Sequence, residues 1–336
     1  VPVIIPIFVP QEGCPQRCLY CHEVKAADVP PTVVTEAHLR KTVAACLRKG
    51  CRERGALQIA FYGGNFTGMA RERQQTLLAM ANGLIDEGLV ESIRISTRPD
   101  YITEADLDFL EKFRVRTVEI GAQSLVDEVL RLSRRGHTAA QVRQALALLN
   151  GRGFETGVHL MAGLPGDTPA GFEKSVQEVI ALGPHTVRIH PTLVFAGTEL
   201  AALWEAGAYR PLTLPEAIAA GKYALCAFTA ADIPVIRLGL QTTPEMEKPG
   251  AIVAGPYHPA FRSLVEEAIF LDLASTLLTQ RDVEGREIVF SLAPQDVSSF
   301  RGHKNGNMQA LKNIFRLKSL ALSPNPGQPR GSLVLA

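Results

Sequence analysis

At 336 residues, with 46% hydrophobic and 21% charged side chains, the chain has the composition of a globular protein able to bury a sizeable core. No run approaches the ~20 apolar residues that a membrane helix requires, and a net charge of +1 excludes global steering towards a polyanion. Nothing at the N-terminus reads as a cleavable or lipidated segment, so no membrane partner is expected and a reducing cytoplasm is the expected compartment.

Strand-like runs alternate with helical patterns, which predicts parallel βα units. The first run, Val3 to Val9, is apolar and leads into a loop holding Cys14, Cys18 and Cys21. Thr35 then caps a helix reaching Lys49, and Leu57 to Tyr62 forms a strand ending in Gly63-Gly64-Asn65. A helix from Arg71 to Glu87 precedes a strand from Glu91 to Ser96. Another helix, Glu104 to Lys112, precedes a strand from Thr117 to Gly121. A long helical stretch broken near Gly136 leads to a strand from Glu155 to Met161, and a helix from Ala170 to Leu182 leads to a strand from Thr186 to His190. Helices near Glu199–Ala206 and Pro215–Ala230 come before a last run, Pro234 to Leu240. There is no tandem repeat at solenoid period. This order predicts a half-barrel or partial (β/α) barrel, whose reacting groups gather at the carboxyl ends of the strands.

Beyond Leu240 the pattern changes. Gln241 to Pro259, rich in Pro, Gly and Thr, reads as a loop crossing back towards the barrel mouth, followed by a helix from Ala260 to Thr279. Then come a strand (Glu287 to Leu292), a short helix around Asp296–Phe300, the loop Gly302-His303-Lys304-Asn305-Gly306-Asn307, and a helix from Met308 to Phe315. Strands at Leu317 to Leu322 and Ser332 to Leu335 complete the chain. From Arg281 to Ala336 there are eight basic and four acidic residues, a net +4, which leaves −3 for the remainder. The basic tail hints at an anionic partner.

The most informative string is Gly13-Cys14-Pro15-Gln16-Arg17-Cys18-Leu19-Tyr20-Cys21-His22. Three thiolates this close can each hold one iron of a 4Fe–4S cube, leaving the fourth iron without a protein ligand. The same string also fits a zinc site of Cys14, Cys18, Cys21 and His22. Cys18 to His22 matches a c-type haem attachment, and buried cysteines can act simply as small hydrophobes. Haem attachment needs an exported chain, and zinc leaves the rest of the sequence unexplained. Cys46, Cys51 and Cys226 form an odd remainder that predicts no disulfide framework, and all three read as structural.

The C-x3-C-x2-C spacing, with Tyr20 just before the last cysteine, resembles the radical S-adenosylmethionine (SAM) superfamily. In that family the open iron chelates the amino and carboxylate groups of SAM, and an electron from the cluster yields a 5′-deoxyadenosyl radical that abstracts hydrogen from a substrate. Taken with Arg135-Gly136-His137, His159-Leu160-Met161-Ala162-Gly163-Leu164-Pro165-Gly166 and His190-Pro191-Thr192-Leu193-Val194, the chain closely resembles the radical SAM part of the Elongator catalytic subunit. The broader group includes oxygen-independent coproporphyrinogen oxidases. The resemblance covers roughly residues 1–240, and six motifs in order are more specific than any one of them.

The resemblance implies an α/β fold with a partial (β/α)6-type radical SAM barrel over 1–240; beyond it, 241–283 read as a loop and helix connector, and the strand, helix, basic glycine-bearing loop, helix and strand over 284–336 resemble a small basic α+β, KH-like subdomain. It implies a 4Fe–4S cluster on Cys14, Cys18 and Cys21, and SAM contacts from Tyr20, Gly63, Gly64, Asn65, Ser96, Gln123, Arg135 and His159. His159 and His190 would face the cavity. Asn65 stands where relatives more often carry Glu or Thr, and its amide oxygen would accept the methionine amino group. Ser96 or Thr97 stands where relatives often carry Glu. Arg135 would meet the SAM carboxylate through its fork. Elongator-type enzymes continue into an acetyltransferase domain, for which the residues past 240 are too few.

In the KH-like reading, Gly302, His303, Lys304 and Asn305 clamp a nucleotide backbone, with Asn in place of the second glycine. Asn tolerates the left-handed backbone that position needs. The expectation is therefore a radical SAM enzyme modifying a nucleotide in RNA, with no DNA partner, served by an electron donor such as flavodoxin or ferredoxin. Two alternatives are small-molecule chemistry, such as a porphyrin-type decarboxylation, and a non-catalytic iron–sulfur RNA-binding protein.

Overall fold

The computed structural model describes residues 2–9, 13–15, 17–21, 34–240 and 248–336. In chain order the elements begin with β1 (Val3–Phe8), α1 (Glu36–Arg48), β2 (Leu57–Tyr62), α2 (Arg71–Asp86), β3 (Ser92–Thr97), α3 (Glu104–Lys112) and β4 (Val115–Gln123). They continue with α4 (Asp127–Leu132), α5 (Ala139–Gly151), β5 (Glu155–Ala162), α6 (Pro169–Leu182), β6 (Thr186–Pro191), β7 (Val194–Phe195), α7 (Glu199–Glu205), α8 (Leu214–Ala230) and β8 (Val235–Leu238). The remainder is β9 (Ile252–Ala254), α9 (Phe261–Thr279), β10 (Glu287–Leu292), α10 (Val297–Arg301), α11 (Gly306–Ile314), β11 (Ser319–Pro324) and β12 (Leu333–Leu335).

Seven strands form one curled sheet in the order β1-β2-β3-β4-β5-β6-β8, each pair parallel. This is the predicted half-barrel. Its strands alternate with period two. Ile5, Ile7, Ile59, Phe61, Ile93, Ile95, Val118, Ile120, Val158, Leu160, Val187 and Ile189 point outwards and pack under the helices in a single apolar cluster. Each such side chain contributes about 1.5–3 kcal/mol by leaving water. The opposite phase is polar: Gln58, Tyr62, Arg94, Ser96, Thr117, Glu119, His159, Arg188 and His190 line the inner wall. Local signals agree with this layout, because Thr35, Thr103, Thr138, Thr168 and Thr213 each cap a helix through the side-chain oxygen.

Two expectations need correction. The odd set of Cys46, Cys51 and Cys226 suggests no disulfide framework, yet Cys46 and Cys51 form a disulfide with Cα atoms 5.5 Å apart. The cause is local: α1 ends at Arg48, and the chain reverses through Gly50 at φ +66, which brings Cys51 back over the last helical turn. The stretch read as a loop from Gln241 to Pro259 contains β9, which pairs antiparallel with β7; its residues 241–247 lie outside the described residues. His22, the fourth ligand of the zinc alternative, also lies outside them.

Helix α9 joins two cores. Phe261 and Val265 belong to the barrel cluster, whereas Phe270, Ala274 and Leu278 pack with Ile288, Phe290, Leu292, Phe300 and Leu311. In this C-terminal part β10 is central, parallel to β11 and antiparallel to β12. The loop between α10 and α11 has positive φ at Gly302 (+70), Lys304 (+51) and Asn305 (+60). Asn305 therefore adopts the left-handed backbone expected of it.

Candidate active site

The cysteine loop leaves the carboxyl end of β1 and is fastened on three sides. Against the β2 end, the Asn65 Nδ2 donates to the Gly13 carbonyl at 2.8 Å. The approach is so close that a Cβ on Gly13 would lie 2.1 Å from the Asn65 carbonyl oxygen, and one on Gly68 would lie 2.1 Å from the Asn65 Nδ2. Only glycine fits at either position. On the second side the Leu19 amide donates to the Ser133 carbonyl at 3.2 Å. On the third, the Leu200 amide at the start of α7 donates to the Leu19 carbonyl at 2.9 Å, and the Leu19 side chain is buried with Val194, Leu200, Ala201 and Tyr209.

Cys14 and Cys21 are exposed, Cys18 is half-buried, and none of the three is in a disulfide. Beneath them lies Arg135, 8% exposed. Its Nη1 donates to the Cys18 Sγ at 3.2 Å, its Nη2 to the Gly121 carbonyl at 2.5 Å and its Nε to the His137 Nε2 at 3.3 Å. None of these partners is a carboxylate. Burial opposes its charge, but Tyr20, Cys18 and Cys14 more than offset that, and its pKa is raised. Burial, reinforced by Arg135 and Arg98, pushes His137 down to about 4, so it stays neutral and can accept from Arg135. The Tyr20 hydroxyl is occluded beside Cys18 with no partner in hydrogen-bond geometry among the described residues, and burial raises its pKa.

Asn65 is fully buried, and both ends of its amide are occupied. The Oδ1 accepts from the Thr97 hydroxyl at 2.6 Å and from the Arg98 amide at 3.1 Å, while the Nδ2 holds Gly13. This amide ties the cysteine loop to the ends of β2 and β3, and its oxygen is not left open for a ligand as the sequence suggested. Gly63 and Gly64 remain at the rim, exposed and half-buried respectively, with Gly63 at φ +97. Ser96 is half-buried on the inner wall, and Gln123 sits half-buried at the end of β4 with φ +67.

Deeper in the barrel, Glu119 of β4 is completely buried among side chains from four other strands. Arg94 donates to it at 2.5 Å, Arg188 at 3.1 Å and the Tyr62 hydroxyl at 3.3 Å, while its second oxygen meets the His159 Nε2 at 2.7 Å. Arg188 also bonds the Tyr62 hydroxyl and lies 4.9 Å from the ring centroid. Arg94 is braced by the Gln58 Oε1 at 2.6 Å. Gly157 makes room for this carboxylate, since a Cβ there would lie 2.8 Å from the Glu119 Cγ. Burial alone would raise the Glu119 pKa, but His159, Arg188 and Arg94 overcome it and hold the carboxyl at about 2. His159 therefore sits in the barrel wall as a partner of Glu119.

The Radical SAM superfamily family model matches residues 8–179, more than half of the chain, and the Radical_SAM C-terminal domain matches 184–270. The chain belongs to the radical SAM superfamily. It is accordingly a radical SAM enzyme, with the Elongator-like character read from its motifs. Over 133 residues it is 37% identical to the tRNA uridine(34) acetyltransferase of Methanocaldococcus infernus, covering 39% of this chain and 25% of the relative. Over 177 residues it is 31% identical to Elongator complex protein 3 of Saccharomyces cerevisiae, covering 46% and 31%. These matches span about a quarter to a third of the relatives' lengths. In three dimensions it is similar to an N-terminally deleted Elp3 of the archaeon Methanocaldococcus infernus, with TM-score 0.61 and 22% identity over 80% of this chain and 63% of that one. That likeness establishes the fold.

Sequence reasoning on this radical SAM chain did not find Glu119, Arg94, Arg188 or Tyr62. The signal that could have found them is phase: each falls on the inward register of its strand, where a charged or phenolic group has no apolar neighbour to pack on. A cleft of about 670 Å³ also opens beside the loop after β5, between α6, α7 and α8, with Asp167 and Tyr209 in its lining. Burial pushes Asp167 up to about 6, although the Gly163 and Thr168 amides donate to it.

Proposed function

We propose that Cys14, Cys18 and Cys21 hold a 4Fe–4S cluster and that SAM binds over the rim beside it. The observation that carries this reading is Arg135: a guanidinium buried against the Cys18 sulfur, bonded to no carboxylate among the described residues, under a loop that brings Cys14, Cys18 and Cys21 together. A buried cation without an anion is costly, and thiolates with a ligand carboxylate above it remove that cost. The occluded, unpartnered Tyr20 hydroxyl fits the same account. When bound, the cluster and SAM supply one-electron chemistry that ends in hydrogen abstraction from a substrate.

The chain's own residues then divide the work. Gly63 and Gly64 let backbone approach the ligand at the β2 end, and Ser96 and Gln123 offer polar groups at the ends of β3 and β4. Arg135 supplies positive charge for a carboxylate. Asn65 positions the cysteine loop through Gly13, Thr97 and Arg98. A reduced flavodoxin or ferredoxin would deliver the electron to the exposed side of the loop.

The substrate class we infer is a nucleotide in RNA. The relative from Methanocaldococcus infernus is named as a tRNA uridine(34) acetyltransferase. In this chain a basic loop with left-handed Lys304 and Asn305 stands at the start of α11, where backbone amides can face a phosphate. In this division residues 1–240 do the chemistry, 241–283 connect, and 284–336 present the RNA. Anaerobic protein given SAM and dithionite should release 5′-deoxyadenosine, and its absence would sink the catalytic reading. Nucleoside mass spectrometry of ribosomal and transfer RNA from a deletion strain beside its parent should show one modified nucleoside lost. Identical profiles would remove RNA as substrate.

A further inference from the structure

The inner wall of the barrel holds more positive charge than its known contacts use. Among the described residues, Arg94, Arg188 and Arg237 face inwards with Glu119 as the carboxylate between them, while Glu155 at the amino-terminal rim is matched by Arg116. The guanidiniums exceed Glu119 by two charges. Arg94 is locked between Gln58 and Glu119, and Arg188 between Glu119 and Tyr62. Arg237 differs. It lies beside Arg188 in the β6–β8 register, is half-buried, and has no hydrogen bond or ion pair among the described residues.

A second group nearby is also unfinished. The His190 Nε2 is occluded from solvent and has no hydrogen-bond partner among the described residues. Its ring stands 6.3 Å from that of His159. Burial, followed by the charges of His159, Arg188 and Arg237, pushes His190 down to about 3, so it stays neutral and offers one ring nitrogen. A buried polar atom without a partner costs roughly 1–3 kcal/mol, and such atoms in native proteins call for an explanation.

We propose that Arg237 and His190, with Arg188 behind them, bind a carboxylate carried by the molecule that enters the barrel. A planar fork plus one imidazole nitrogen can meet the two oxygens of a carboxylate; a guanidinium fork pairs with phosphate as well, so both anions enter the test. The inference deepens the enzymatic reading, on which it rests: the molecule that enters the barrel carries a carboxylate.

The test is direct binding of acetate, malonate and inorganic phosphate to the anaerobically purified full chain, followed by calorimetry. Acetate or malonate should bind saturably and phosphate should not compete. Arg237→Gln, which disturbs no existing bond, should weaken carboxylate binding about tenfold or more, the usual worth of a charge-assisted contact. His190→Leu should weaken it as well, and Lys304→Glu should leave it unchanged. Binding of phosphate alone, no anion binding, or equal carboxylate affinity in Arg237→Gln would each overturn the proposal. An unchanged RNA profile in the deletion strain would remove RNA and leave carboxylate binding standing, so the two failures are distinguishable.

Discussion

The rim and the inner wall of the barrel are built on opposite plans. At the rim, the Asn65 amide and the Leu19 backbone hold a loop that carries Cys14, Cys18 and Cys21 over Arg135, which meets no carboxylate among the described residues. Around Glu119, side chains bond side chains, and Arg94, Arg188, Tyr62 and His159 converge from four strands on one carboxylate. The rim is organised to receive something, whereas the Glu119 network is already satisfied and stiffens the wall that faces it. Removing a group from the first should therefore abolish binding with little change in folding, and removing one from the second should do the reverse.

The largest effect is expected at the thiols. Cys14→Ala, Cys18→Ala and Cys21→Ala should each abolish the absorbance near roughly 400 nm expected of thiolate-ligated iron–sulfur protein after reconstitution. Their melting temperature as apo-proteins should stay close to that of the parent. Intact absorbance in the triple variant would move the cluster elsewhere.

Glu119→Gln should give the converse result. It strands Arg94 and Arg188 in a buried site and should cost about 3–5 kcal/mol, read by chemical denaturation. The pH dependence follows from the depressed carboxyl. Its stabilising contribution is present above the ordinary unfolded value near ~4.3 and is lost as pH falls towards about 2. Parent protein should lose stability progressively across that window, and Glu119→Gln should lack this part of the acid limb. A Glu119→Gln protein as stable as its parent would show that the wall does not depend on this carboxylate.

Asn65 lies on the boundary between the two plans, since its side chain is fully buried yet serves the rim. Asn65→Ala deletes bonds to Gly13, Thr97 and Arg98 and should destabilise by about 1–3 kcal/mol. It should also lower iron incorporation, because the cysteine loop loses one of its three fastenings. Full iron loading with the same melting temperature would mean the loop is held by Leu19 alone.

Legibility followed the same division. The rim was readable because Cys14, Cys18 and Cys21 lie close together in sequence, and Gly63-Gly64-Asn65 closes a strand with residues that only a turn or a close approach requires. Even there, the Asn65 oxygen was assigned to a ligand, because its partners Thr97 and Arg98 are remote in sequence. The Glu119 network was unreadable for that reason in stronger form. Glu119 sits inside the strand Thr117-Val118-Glu119-Ile120-Gly121, and its partners come from positions 62, 94, 159 and 188. Alternation gave the fold, but which inward polar groups meet depends on register, and register is set by packing of the outward Val, Ile and Leu residues.

Lys304→Glu is the variant that should disturb neither region. Lys304 is exposed, on the loop between α10 and α11, in a part of the chain whose core is separate from the barrel's. A surface substitution of this kind should change stability by no more than about 0.5 kcal/mol, and cluster absorbance should match the parent. RNA retention should nevertheless weaken, and the slope of log K against log salt should fall by about one, because one phosphate contact is removed. A single charge reversal that leaves cluster and fold intact while flattening the salt dependence would separate the proposed RNA-presenting surface from the proposed cluster site. Unchanged affinity and slope would instead remove the loop between α10 and α11 as a nucleic-acid contact.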